Sequence, residues 1–152
     1  MRAILIYYTI TNHTKKAVED ISKGLEKREV EFEILNVKEI NYDKTNFSQY
    51  QILVIGTPTH MWGPARKISD FIKKLTLNDL ENKRIGLVTC YAGIGGNRAI
   101  NRMEEMLKEK NSNITVEKIA IMAGAPGSLW TGPSASEKDV QKCIEIGKKL
   151  GQ

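Results

Sequence analysis

Short continuous runs of apolar residues alternate with amphipathic stretches along the whole chain, and this alternation limits the fold more than any other feature. Apolar runs stand at residues 3–8, 52–55, 85–89 and 119–123, with a more alternating one at 30–37. Each has the length of a strand, and a strand that is apolar at successive positions must be covered on both faces. Helix spacing runs through residues 15–28, 65–75, 97–109 and 137–150. Parallel neighbours need helical crossovers, so the pattern predicts an α/β fold, a parallel sheet with helices on both faces. A length of 152 residues predicts one domain spanning 1–152. Residues 38–50 and 124–136 read as irregular.

Charge and cysteine usage exclude several classes of function. The formal charge is +5, but residues of both signs are interspersed, without the clustered Lys and Arg of a nucleic-acid arm. Cys90 and Cys143 are far apart and form no CxxC, so a zinc ribbon or disulfide framework is not expected. Both read as small buried apolar residues. No apolar run reaches the length of a membrane span, and Met1-Arg2 leads straight into a short strand rather than a signal sequence. The expected location is the cytoplasm, with no membrane and no nucleic acid as partner.

In an open doubly wound sheet, ligands bind outside the carboxyl ends of the strands. The loops to inspect read TITNHT (residues 9–14), GTPTHMWGP (56–64) and CYAGIGGN (90–97). The first joins a strand to a helix N-terminus, where unpaired N–H groups and the helix dipole suit an anion. One Ser, Thr, Asn or Asp suffices to cap a helix; Thr9, Thr11, Asn12 and Thr14 exceed that need. The second loop holds His60, Met61 and Trp62 between Pro58 and Gly63-Pro64, and the third sets Tyr91 beside Gly93, Gly95 and Gly96. Taken together they suit a ligand with a phosphate tail and a flat ring. GIGGNR is not a dinucleotide fingerprint, because Arg98 stands at the last Gly position.

With these loops the chain resembles the flavodoxin family over nearly its whole length. The family's phosphate loop reads Ser/Thr-x-Thr-Gly-Asn-Thr; here Thr9, Thr11 and Thr14 match while Asn12 and His13 depart from it. Asn tolerates the left-handed backbone that Gly would supply. The resemblance implies a flavodoxin-like three-layer sandwich with a five-stranded parallel sheet of order 2-1-3-4-5, and FMN as cofactor. It implies that Thr9, Ile10, Thr11, Asn12, His13 and Thr14 hold the phosphate. Pro58, Thr59, His60, Met61, Trp62 and Gly63 form a second cofactor segment, with Trp62 or Met61 covering one face of the ring. Cys90, Tyr91, Ala92, Gly93 and Gly96 form the third, with Tyr91 on the other face.

The expected function is electron transfer by bound FMN, in a monomer or homodimer, to or from a redox partner protein. Two alternatives stand beside it: an FMN-dependent NAD(P)H or quinone reductase whose pocket Trp130 lines, and a scaffold that no longer binds flavin. A phosphoacceptor receiver domain shares the topology but needs acidic residues where this chain has Tyr7-Tyr8-Thr9 and Gly56-Thr57-Pro58. Flavodoxins are typically acidic, whereas here Arg66, Lys67, Arg98 and Arg102 flank the ring loops. They predict a less negative flavin potential and a partner with an acidic docking face.

Overall fold

The computed structural model describes residues 1–125 and 131–152. Its strands are β1 (Arg2–Tyr7), β2 (Glu31–Asn36), β3 (Ile52–His60), β4 (Gly63–Pro64), β5 (Arg84–Tyr91) and β6 (Thr115–Met122). Its helices are α1 (His13–Glu26), α2 (Arg66–Lys74), the single turn α3 (Leu77–Leu80), α4 (Gly96–Lys110) and α5 (Glu137–Leu150). The five long strands are parallel in the order β2-β1-β3-β5-β6, and the two-residue β4 pairs antiparallel with the end of β3. Without β4 this is the expected 2-1-3-4-5 order.

The apolar runs become strands because period-two alternation sends their side chains to two separate cores. Ile4, Ile6, Leu53, Ile55, Ile85 and Leu87 pack with Ile68, Phe71, Ile72 and Met103 of α2 and α4. Ala3, Leu5, Ile52, Val54 and Val88 pack with Val18, Ile21 and Leu25 of α1 and with Cys143, Ile146 and Leu150 of α5. Helices therefore cover both faces, and α1 and α5 cross at glycines. A Cβ on Gly147 would lie 2.0 Å from the carbonyl oxygen of Ile21, and one on Gly24 2.0 Å from that of Ile144. Cys143 is fully buried in this packing, as expected.

Several boundaries differ from expectation: β6 begins at Thr115 rather than 119, and β5 runs on to Tyr91 rather than ending at 89. The irregular 38–50 segment contains two short 3₁₀ turns, Val37–Glu39 and Phe47–Gln49, each opened by an Asn side chain accepting a backbone N–H. Helix α1 starts at His13 rather than 15, which shortens the first loop. Residues 56–60, expected as loop, continue β3, and the chain reverses in a hairpin at Met61-Trp62. Among the described residues no helix is long and apolar enough to cross a membrane.

Candidate functional site

From β1 the chain reaches β2 on one side, whereas β3 lies on the other. The connections after β1 and β3 thus diverge at the carboxyl edge of the sheet and open a crevice there. A cavity of about 500 Å³ fills it.

One end of the cavity is polar. Tyr8 N donates to Gly56 O at 3.1 Å, and the chain then turns through Thr9–Asn12 into α1. Asn12 takes the left-handed conformation (φ 68°) at the N-cap, the geometry expected where the family has Gly. Its carbonyl accepts from Lys16 N at 3.0 Å, the first helical bond. No acceptor among the described residues pairs with the N–H groups of residues 10–15. Thr9, Ile10, Thr11, His13 and Thr14 line this end; Asn12 shapes the turn without lining it. His13 Nε2 donates to Thr131 O at 2.5 Å, and Gly124 N donates to Pro133 O at 2.8 Å, which draws the segment after β6 against the loop. Ala123, Gly124 and Ala125 consequently join the lining.

The other end is largely apolar and built on the hairpin. Thr57 Oγ1 accepts from Ala65 N and donates to Pro58 O, both at 2.9 Å, which ties the two limbs together. His60 pairs with Gly63, and Met61 and Trp62 between them have φ of 46° and 72°. Positive φ at both central positions is the pattern of a two-residue type I′ turn, normally Asn-Gly. Pro58, Thr59, His60, Met61 and Trp62 line the cavity, while Gly63 serves the strand pair. Thr59 and Thr89 share a hydroxyl hydrogen bond of 2.8 Å. Trp62 lies against Gly95, where a Cβ would come within 3.3 Å of its ring, and the Arg98 guanidinium sits 5.7 Å from the ring centre.

The third loop is placed differently from the expectation in one respect. Cys90 and Ala92 line the cavity, but Tyr91 does not. Its ring is packed on Gly96, where a Cβ would lie 2.2 Å from it. Successive residues of a strand point to opposite faces, so Cys90 in the cavity turns Tyr91 away. Ile94, which the sequence reading did not select, occupies the wall instead, and Gly93 and Gly96 act through the backbone path. Gly93 and Gly95 both have φ above 90°. Cys90 is 6% exposed, and burial pushes its thiol up to about 11, with the Thr14 hydroxyl acting against that rise. It is a buried neutral thiol, in keeping with its apolar reading. Trp130 lies outside the described residues.

Of the four basic residues noted in sequence, Arg102 is ion-paired with Glu105 (3.4 Å) and Glu109 (3.6 Å). Arg66, Lys67 and Arg98 are in no ion pair among the described residues. Among the described residues the cavity lining contains no Asp, Glu, Lys or Arg, so no carboxylate of theirs there repels an anion.

A doubly wound sheet with one crevice at its switch point, hydroxyls and free amides at one end and an indole at the other, defines a class of phosphate-bearing ring-ligand binders. Comparison with known proteins narrows this class. The sequence model of the family described as Flavodoxin matches residues 5–139, and the chain belongs to the flavodoxin family. It is 24% identical over 161 residues to a flavodoxin of Aquifex aeolicus, covering 99% of this chain and 85% of that protein. It is also 24% identical over 157 residues to an uncharacterized protein of Methanocaldococcus jannaschii, of which it spans only 36%. Among solved structures, a flavodoxin from the domain Archaea superposes with a TM-score of 0.78 at 20% identity, covering 99% of this chain and 96% of that one. A WrbA-like flavodoxin of Agrobacterium tumefaciens gives 0.74 at 17% identity, covering 99% and 94%. At such identities these structures establish the fold. Flavodoxin family members bind FMN as cofactor.

Proposed function

We propose that this chain binds FMN in the crevice and carries electrons between partner proteins. The observation that supports this most is a single cavity joining the unpaired amides of the first loop to the Trp62 hairpin. The amides of residues 10–15 and the hydroxyls of Thr9, Thr11 and Thr14 suit a phosphate dianion without help from Lys or Arg. His13 stands at the same end, held by Thr131. Met61, Trp62, Ala92 and Ile94 offer the apolar walls a flat ring requires. Bound FMN supplies the redox chemistry; the chain binds it, orients it and limits water around it.

The test is the colour of the purified protein. Flavin absorbance, with FMN rather than FAD released on denaturation, is the expected result; a colourless protein that takes up no added FMN would overturn the proposal. Adding NADPH under anaerobic conditions separates carrier from reductase. The carrier stays oxidised without a reductase partner, and prompt bleaching would identify the chain as a reductase.

A further inference from the structure

We infer that the face surrounding the cavity docks a redox partner whose contact surface is acidic with an apolar centre. The centre of this face on the present chain is apolar and open: Ile10, Met61 and Ile94 are 55%, 96% and 68% exposed, and Trp62 is half exposed beside them. Such a cluster on one rim is the kind of patch that marks an interaction site.

The charges around it run against helix stability. Helices α1, α2 and α4 all begin at this edge, and none has an acidic residue in its first turn. Lys15, Lys16, Arg66, Lys67 and Arg98 stand there instead, all exposed. None is in an ion pair among the described residues. A cation at a helix N-terminus opposes the dipole. Lysines also fill the last turns of the long helices, but there the dipole favours them, so stability accounts for those and not for these. Only α5 follows the stabilising rule at this edge, with Glu137 and Asp139 in its first turn. Cations and dipoles therefore add to one positive field around an apolar centre, and its complement is a ring of carboxylates on a partner. Such a field speeds encounter with that partner and rejects a basic one.

The purpose of this face rests on the electron-carrier reading, but its charge selectivity is measurable without flavin. The probes are cytochrome c with its lysines succinylated and unmodified cytochrome c, which share a haem and differ in surface charge. Isotope-labelled full-length chain, with FMN and without it, is titrated with each and followed by backbone amide shifts. The succinylated form is expected to bind at least about tenfold more tightly at low salt, with an advantage that fades as salt shortens the Debye length. Shifts should be confined to the first turns of α1, α2 and α4, the hairpin and the loop after β5. Arg66→Gln, Lys67→Gln and Arg98→Gln together should remove most of the preference. Lys27→Gln, Arg28→Gln and Lys149→Gln, an equal loss of charge at the other edge, should leave it. Equal or stronger binding of the basic form, shifts elsewhere, or equal effects of the two triple variants would overturn the inference. So would tighter binding of a single-stranded oligothymidine than of the acidic protein at the same salt, which would assign the face to nucleic acid. Failure to bind FMN would count against the carrier reading, while the flavin-free titration still decides the docking.

Discussion

Met61 gives the most direct test of whether the hairpin carries strain. Its φ of 46° places it in the left-handed region, which costs an ordinary L-residue roughly 1–2 kcal/mol. Its side chain is 96% exposed, so replacing it sacrifices almost no packing in the free protein. Asn adopts this conformation readily, because its short side chain bonds to local backbone, and it adds none of the unfolded-state freedom that Gly would. Met61→Asn should therefore stabilise the flavin-free protein by about 1 kcal/mol, raising the melting temperature by roughly 2–4 °C for a chain of this size. Met61→Ala is the control, since Ala keeps the strain and loses the same exposed side chain. Urea denaturation of both variants, with unchanged m-values, isolates the folded-state effect. Equal stability of the Asn and Ala variants would refute the strain argument. Both should bind FMN more weakly than the parent, because Met61 lines the cavity.

Thr11→Ala combined with Thr14→Val should weaken FMN binding by about 10²–10⁴-fold, since each charge-assisted bond to phosphate contributes roughly 1.5–3 kcal/mol. Riboflavin, which has no phosphate, should bind almost as before; equal losses for the two flavins would remove these hydroxyls from the phosphate site. In a Trp130→Phe background, saturating FMN should strongly quench the remaining Trp62 emission, and unchanged emission would place the indole away from the ring. Gly147→Ala should lower the urea midpoint by an amount equivalent to roughly 1–3 kcal/mol or more, because its Cβ would meet the Ile21 carbonyl oxygen at 2.0 Å. A midpoint matching the parent would mean that α1 and α5 separate without cost. The Cys90 thiol, at about 11 when folded against 9.0 when free, is protonated in the native state while the unfolded state ionises first. Its contribution to stability is thus complete below pH 9 and lost as pH rises towards 11. Cys90→Ala should show a shallower decline across that window in alkaline denaturation, and an unchanged slope would contradict the burial argument.

The sheet was legible because β1, β3 and β5 each contain a run, at 3–7, 52–55 and 85–88, that is apolar at nearly every position, and only coverage on both faces accommodates that. The first loop was legible too, since hydroxyls cluster at a helix start and Asn12 is a residue that tolerates the required turn. The hairpin was not. Positive φ is inferred from Gly or Asn, and Met61-Trp62 carries neither. Tyr91 was selected by residue type, although alternation from Cys90 already sends it to the opposite face. Ile94 and Ala123–Ala125 carry no distinctive chemistry, and the last three reach the cavity through the His13–Thr131 and Gly124–Pro133 bonds across the fold. Arg102 was counted among the cations flanking the ring loops, yet Glu105 stands three residues later, at ordinary helical pairing distance.

The two edges of the sheet differ in how their polar and charged groups are placed. At the amino edge, polar groups are satisfied: Arg84 donates to the carbonyls of Leu150 and Gln152, buried Lys83 donates to those of Phe47 and Tyr50, and Arg2 pairs with Glu33. The capping box of Thr76 and Asp79 opens α3. At the carboxyl edge the chain turns on left-handed Met61 and Trp62, leaves six amides without acceptors among the described residues and sets cations at positive helix ends, while the left-handed Glu29 and Asn82 stand at the amino edge. Each of these features destabilises the free fold, and a sequence selected for stability alone would have Asn-Gly at the hairpin and acids in the first turns. On the proposed reading, an anionic ligand and an acidic partner would reverse the sign of two of the three, because free amides and cations would become the contacts that bind them. The strained hairpin is the third, and its exposed Met61 and Trp62 line the same cavity as the free amides.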